Sequence, residues 1–118
     1  MQDKIVINDY IENDPLSEEN LDKTLEAVNE FRLSFPNKSI WIYSGYKWSE
    51  IFNDGVYLTR ECAGWKRREI VKQCTVMVDG RYIDSQRDIS LRWKGSSNQR
   101  VIDIKKSLQK GEIILWEE

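Results

Sequence analysis

"SIWIYSG" (Ser39–Gly45) is a short run in which both alternate sets of positions are apolar or aromatic, closed by a glycine. A strand with one wet face alternates polar with apolar residues. This one does not, so it predicts a strand covered on both sides. "TVMVDG" (Thr75–Gly80) has the same character, and Gly80 stops it. "KIVIN" (Lys4–Asn8) is β-branched and predicts a third buried strand.

The stretches between these strands read as helices. Before Ser39, Pro15 keeps Asp14 out of the helical region, and Ser17 suits an N-cap. Glu18 and Glu19 then fall in a first turn, where the helix dipole favours acids. Leu21, Leu25, Val28 and Phe35 recur at helical spacing, with Phe31 or Leu33 completing the stripe. Pro36 forbids continuation, which places the end near Ser34. After Gly45, a weak helical stretch covers Trp48 to Phe52, and a turn follows at Asn53-Asp54-Gly55. "WKRREIVKQC" (Trp65–Cys74) predicts a helix with Ile70 and Val71 inward and the basic run on a solvated face. "RYIDSQRDISLRW" (Arg81–Trp93) reads as a long loop with room for a short strand near Ile89 to Trp93. A helix is expected from about Asn98 to Lys110, with Val101, Ile104 and Leu108 on one side. "GEIILWEE" (Gly111–Glu118) reads as a short final strand.

The predicted order is therefore β-α-β-α-β-α-β in a single α/β domain over residues 1–118. Alternation of this kind implies mostly parallel pairing through right-handed crossovers.

Composition narrows the chemistry. The 118 residues carry 18 basic and 20 acidic side chains, a net charge of −2, so no global field draws nucleic acid or an anionic membrane. No apolar run approaches the length of a membrane span, and no signal peptide is visible. The chain has no histidine and two cysteines, Cys62 and Cys74, with no CxxC. This removes the usual zinc sites, His-dependent triads and His general bases. The thiols read as a reduced, cytoplasmic pair. Five tryptophans on separate elements, with no basic stripe between them, suit core and subunit contacts better than a stacking surface for single strands.

Parallel sheets bind ligands beyond the carboxyl ends of their strands. Here those ends gather Asp9, Glu12, Asp14, Ser44, Tyr46, Asp79, Arg81, Lys94, Ser96, Ser97, Asn98 and Arg100 on one rim. Acids beside Arg and a helix start suit a small zwitterionic ligand with hydroxyls. The plainer alternative is that any α/β domain ends its strands in polar loops. In "RWKGSSNQR" (Arg92–Arg100) the glycine-serine loop could be an anion nest at a helix terminus, or Ser97 or Asn98 could simply be the N-cap.

Taken together, "DPLSEENL", "FPNKSIWIYSGYKWSEI" and "VMVDGRYIDSQRDISLRWKGSSNQRVIDIKKSL" resemble the activating proteins of anaerobic (class III) ribonucleoside-triphosphate reductase, which are radical-SAM activases. The resemblance implies a partial (β/α) barrel, of which this chain would be the C-terminal portion. It also implies a [4Fe-4S] cluster that reduces S-adenosylmethionine to a 5′-deoxyadenosyl radical, which abstracts a hydrogen from a glycine of the reductase. By resemblance, Asp79 and Arg81 line the S-adenosylmethionine end of the sheet, with Ser44 on the neighbouring strand end. Asp14 keeps the acid of an early ligand-facing loop. Ser97, Asn98 and Arg100 match the late loop beside the cofactor and the reductase's glycine loop. The implied partners are the reductase large subunit and a complementing N-terminal fragment; a second copy of this chain is also expected, through strand pairing at an open sheet edge or a tryptophan-rich contact, and nucleic acid and membrane are not among the partners.

Two departures stand out. The family's CxxxCxxC motif has no counterpart here, so no metal ligand is assigned. The family's Gly-Gly-acid-Pro-Leu reads Glu12-Asn13-Asp14-Pro15-Leu16 in this chain. The chain alone is then expected to be inactive, as one portion of an activase. The alternatives are a non-catalytic module that docks on the reductase, and a stand-alone domain with a new small ligand.

Overall fold

The computed structural model describes residues 4–52 and 62–117; the turn expected at Asn53-Asp54-Gly55 lies outside them. The elements are β1 (Lys4–Val6), α1 (Leu21–Ser34), β2 (Ser39–Ser44), α2 (Trp48–Ile51), α3 (Ala63–Lys72), β3 (Val76–Asp79), β4 (Arg100–Asp103) and α4 (Ile104–Lys110). They build one four-stranded sheet in the order β1-β2-β3-β4. β1 and β3 both run parallel to β2, and β4 runs antiparallel to β3. Among the described residues no helix is long and apolar enough to cross a membrane.

The doubly apolar strands are covered on both faces by two different means. On one face Ile5, Ile40, Ile42, Met77 and Ile102 meet Leu21 and Val28 of α1, Ile70 and Val71 of α3, and Ile104 of α4. Each fully buried aliphatic side chain of this kind contributes about 1.5–3 kcal/mol. The other face is roofed by tryptophans. Trp41, opposite Val76, meets Trp93 and Trp116 edge-on, with ring centroids 5.4 and 5.8 Å away. The Lys4 ammonium lies 4.1 Å from the Trp41 ring centre. Trp41 and Trp48 are buried, so both serve the interior.

α1 ends at Ser34, where the Phe35 amide donates to Phe31 O just before Pro36. Its start differs from expectation. Ser17 does not cap it; the hydroxyl donates to Asp14 O, and a 3₁₀ turn over Glu18–Asn20 precedes the helix. Phe31 rather than Leu33 joins the stripe, since Leu33 is 84% exposed; Phe35 is exposed as well. α3 begins at Ala63, earlier than Trp65, because Cys62 acts as its N-cap through the Trp65 amide.

The largest correction concerns residues 98–110, read above as one helix. Residues Arg100–Asp103 form β4 instead, with Val101 opposite Val78 and Ile102 opposite Met77. The β-branched pair Val101-Ile102 sends one side chain to each face of the sheet, which a helix cannot do. α4 starts only at Ile104, capped by the Asp103 carboxylate on the Lys106 amide at 3.0 Å. Ser107 is buried on its inner side and Leu108 is exposed. The expected final strand reduces to a single bridge, Leu115 to Ile102, with the Trp116 amide donating to Val101 O. The loop before β4 holds a 3₁₀ turn at Asp84–Gln86 and a bridge between Arg87 and Ser96, with no strand at 89–93. The order of elements is thus β-α-β-α-α-β-β-α, an α/β fold with a mostly parallel sheet.

Candidate functional site

The carboxyl ends of β2 and β3 lie side by side, with Ser44 opposite Asp79. Both are buried, and each fixes a loop. The Ser44 hydroxyl donates to Asp14 Oδ1 at 2.8 Å and accepts from the Tyr46 amide. Asp14 also accepts from the Leu16 amide at 2.9 Å and the Gly45 amide at 2.8 Å. Its carboxylate ties the loop after β1 to the end of β2. Asp79 accepts from the Trp48 amide at 2.8 Å, the first residue of α2. It also takes Arg100 in a two-pronged pair, Nε to Oδ1 at 3.0 Å and Nη2 to Oδ2 at 2.6 Å. That pairing holds the Arg100 guanidinium further above its ordinary range.

Beside these anchors opens a cleft of about 640 Å³, lined by Gly45, Lys47, Ser49, Glu50, Arg81, Ile83 and Asn98. Smaller hollows of about 260 and 320 Å³ adjoin it; they share Gly45 with it on one side and Lys47, Ser49 and Asn98 on the other. Arg81 is exposed, and its guanidinium has no hydrogen-bond partner among the described residues. Its stem crosses Gly45 so closely that a Cβ there would stand 3.1 Å from Arg81 Cγ. The two acids expected to face a ligand spend their oxygens on the protein, and the cations Arg81 and Lys47 face the cleft.

Of the seven residues assigned to the site by resemblance, six line these hollows: Asp14, Ser44, Asp79, Arg81, Asn98 and Arg100. Ser97 lies apart, donating its amide and its hydroxyl to Gln86. The anion nest does not form, because no helix begins at Asn98. The Gly95 and Ser96 amides donate to Gln99 Oε1, at 2.9 and 3.1 Å. Sequence reasoning missed two contributors, Gln99 and Asn8. Gln99 ties this loop to Gly80 O. Ser96, expected on the rim, is fully buried. Asn8 extends the β1–β2 ladder by pairing both backbone groups of Tyr43. Polar residues beside a glycine signal a loop, but not which backbone groups they will hold.

The described residues do not form an iron–sulfur site. Among the described residues no three His, Cys, Asp or Glu side chains converge. Cys62 and Cys74 flank the ten-residue α3, which spans about 15 Å. Cys74 is buried, its thiol donating to Ile70 O, and burial pushes it up to about 12.

A family model described as a 4Fe-4S single cluster domain matches residues 13–102. The chain is 34% identical over 88 residues to the anaerobic ribonucleoside-triphosphate reductase-activating protein of Escherichia coli K12, covering 75% of this chain and 49% of that protein. The activating protein of Haemophilus influenzae is 33% identical over 86 residues, 73% of this chain and 48% of its own. That of phage T4 is 31% identical over 88 residues, 75% and 47%. The chain thus spans about half the length of the curated relatives it matches. No solved structure gives a significant match. On the family match across three quarters of its length, the chain belongs to the 4Fe-4S single cluster domain family, among relatives that are anaerobic ribonucleoside-triphosphate reductase-activating proteins.

Proposed function

We propose that this chain is the cofactor-rim and reductase-docking portion of an anaerobic ribonucleotide reductase activase, corresponding to part of a (β/α) barrel. The observation that carries the reading is the cleft at the carboxyl ends of β2 and β3, where Arg81 crosses Gly45 and Asn98 and Lys47 close the sides. Its volume falls in the range of small-molecule sites. Arg81 and Lys47 would hold the carboxylate of S-adenosylmethionine, and the Asn98 amide a neighbouring polar group. S-adenosylmethionine supplies the deoxyadenosyl group of the radical chemistry. Asp14, Ser44, Asp79 and Arg100 shape the rim by fixing its loops. Among the described residues the cluster finds no donor set, so the chain alone is inactive and thiolates come from another segment or polypeptide.

The test is an anaerobic titration of the chain, saturated with S-adenosylmethionine, with the reductase large subunit. Arg81→Ala is expected to weaken binding by about tenfold, the size of an interface anchor. Equal binding by the variant would overturn the reading.

A second reading, a reductase-docking module without cofactor, draws support from Asn13. Its φ of 64° keeps the left-handed backbone that glycine favours, with a Cβ now standing on it. It lines the smaller hollow beside Asp14 and Gly45. Calorimetric titration with S-adenosylmethionine separates the two. Heat of binding favours the first reading, and reductase binding without it favours the second.

A further inference from the structure

Side chains of the late loop fix the way the chain leaves β3. β3 ends at Asp79, and Gly80 turns the backbone with φ of 96°, where a side chain would be strained. Gln99 Nε2 donates to Gly80 O at 3.0 Å. The other end of the same amide accepts from Gly95 and Ser96. One residue on, Asn98 Nδ2 donates to Arg81 O at 2.8 Å. The buried Ser96 hydroxyl accepts from the Ile83 amide at 3.2 Å. Three side chains of the late loop therefore hold the backbone at 80, 81 and 83. With no partner for its guanidinium among the described residues, Arg81 is placed by this backbone and by its stem against Gly45.

We infer that Gln99 is a positioning residue: its amide bridges the late loop to Gly80 and so aims Arg81 into the cleft. The inference deepens the proposed function, since it rests on the cleft being the binding face. The chemistry is specific to an amide of this reach. It supplies a donor to one loop and a two-lone-pair acceptor to the other. Glutamate keeps the acceptor and sets a second acceptor against Gly80 O, and asparagine is shorter by one methylene.

The experiment uses the full chain with Gln99→Met, which keeps the length and loses the polar ends. Phenylglyoxal, an arginine-selective dicarbonyl, is the probe, with modification rates mapped to single arginines by mass spectrometry. The Arg81 rate is expected to change about three- to tenfold, the equivalent of one or two lost hydrogen bonds, with the Arg67 rate unchanged. An unchanged Arg81 rate in a folded variant overturns the inference. Should Gln99→Met fail to fold, Gln99→Glu, which retains the Gly95 and Ser96 bonds, carries the same readout. In reductase titrations, Gln99→Met should add nothing on top of Arg81→Ala, and additive losses would count against action through Arg81. If Arg81→Ala leaves binding unchanged, the reading of the cleft fails, while the dicarbonyl rates still decide the role of Gln99.

Discussion

Asp79 and Arg100 face each other across the β3–β4 ladder and close a two-pronged ion pair, with Asp79 almost wholly buried and the Arg100 side chain 40% exposed. The same carboxylate accepts from the Trp48 amide, so one acid joins β3, β4 and α2. Because Arg100 is partly solvated, the pair is worth less than a fully buried one. Arg100→Ala leaves the buried acid with the Trp48 amide alone and is expected to cost about 2–3 kcal/mol in urea unfolding. Asp79→Asn should cost a similar amount. The double variant should cost clearly less than the sum, because each single change strands the other group. Additive losses would show that the pair is incidental.

Asp79 illustrates how much of this could be read from sequence. An acid directly after an apolar strand marked the rim, and all three parallel strands were legible because β2 and β3 are apolar at both alternate sets of positions. β4 was not legible. Val101, Ile104 and Leu108 have true helical spacing, yet the pairing with Val78 and Met77 decides the conformation, and that pairing is a long-range fact. The missed turn at Asn98 also hid the direction of the site. A helix start would have offered free amides to an anion, whereas a loop entering a strand uses them on Gln99 and Gln86.

The two cysteines should behave differently. Cys62 is partly exposed at the start of α3 and should react with a disulfide reagent in the native chain, whereas Cys74 should react only after denaturation. The Cys74 thiol rises from 9.0 to about 12 on burial. Between those values the folded chain binds more protons than the unfolded one, so stability is complete below about pH 9 and falls as pH rises toward about 12. The slope is at most about 1.4 kcal/mol per pH unit. Tyr43, raised by burial, adds to the loss above its ordinary value. Unfolding measured through this window should show a shallower slope for Cys74→Ala than for the natural chain. Identical slopes would mean that Cys74 does not titrate with unfolding.

Reconstitution with iron and sulfide under anaerobic conditions should give no stoichiometric cluster absorbance with this chain alone. Two cysteines at opposite ends of a helix about 15 Å long, one of them a buried thiol, cannot share a cluster that needs closely spaced thiolate ligands. A brown protein with one cluster per chain, bleached by Cys62→Ser, would contradict this. Cluster formation that appears only when a cysteine-bearing polypeptide is added would agree with it.

The two edges of the sheet are treated differently, and that difference bears on assembly. The outer edge of β4 is met by the C-terminal segment through the Leu115 bridge and the Trp116 amide. β1 pairs only with β2 among the described residues. An unpaired edge offers alternating donors and acceptors to another strand. The simplest closed solution is a two-fold dimer with β1 against its own copy. Light scattering should therefore show a dimer at high concentration that dissociates on dilution. Because Trp41 is already buried beneath Trp93 and Trp116, tryptophan emission should stay constant through that transition. An emission shift that tracks the mass would place the contact on the tryptophan face, and a monomer at every concentration would leave the β1 edge without this partner.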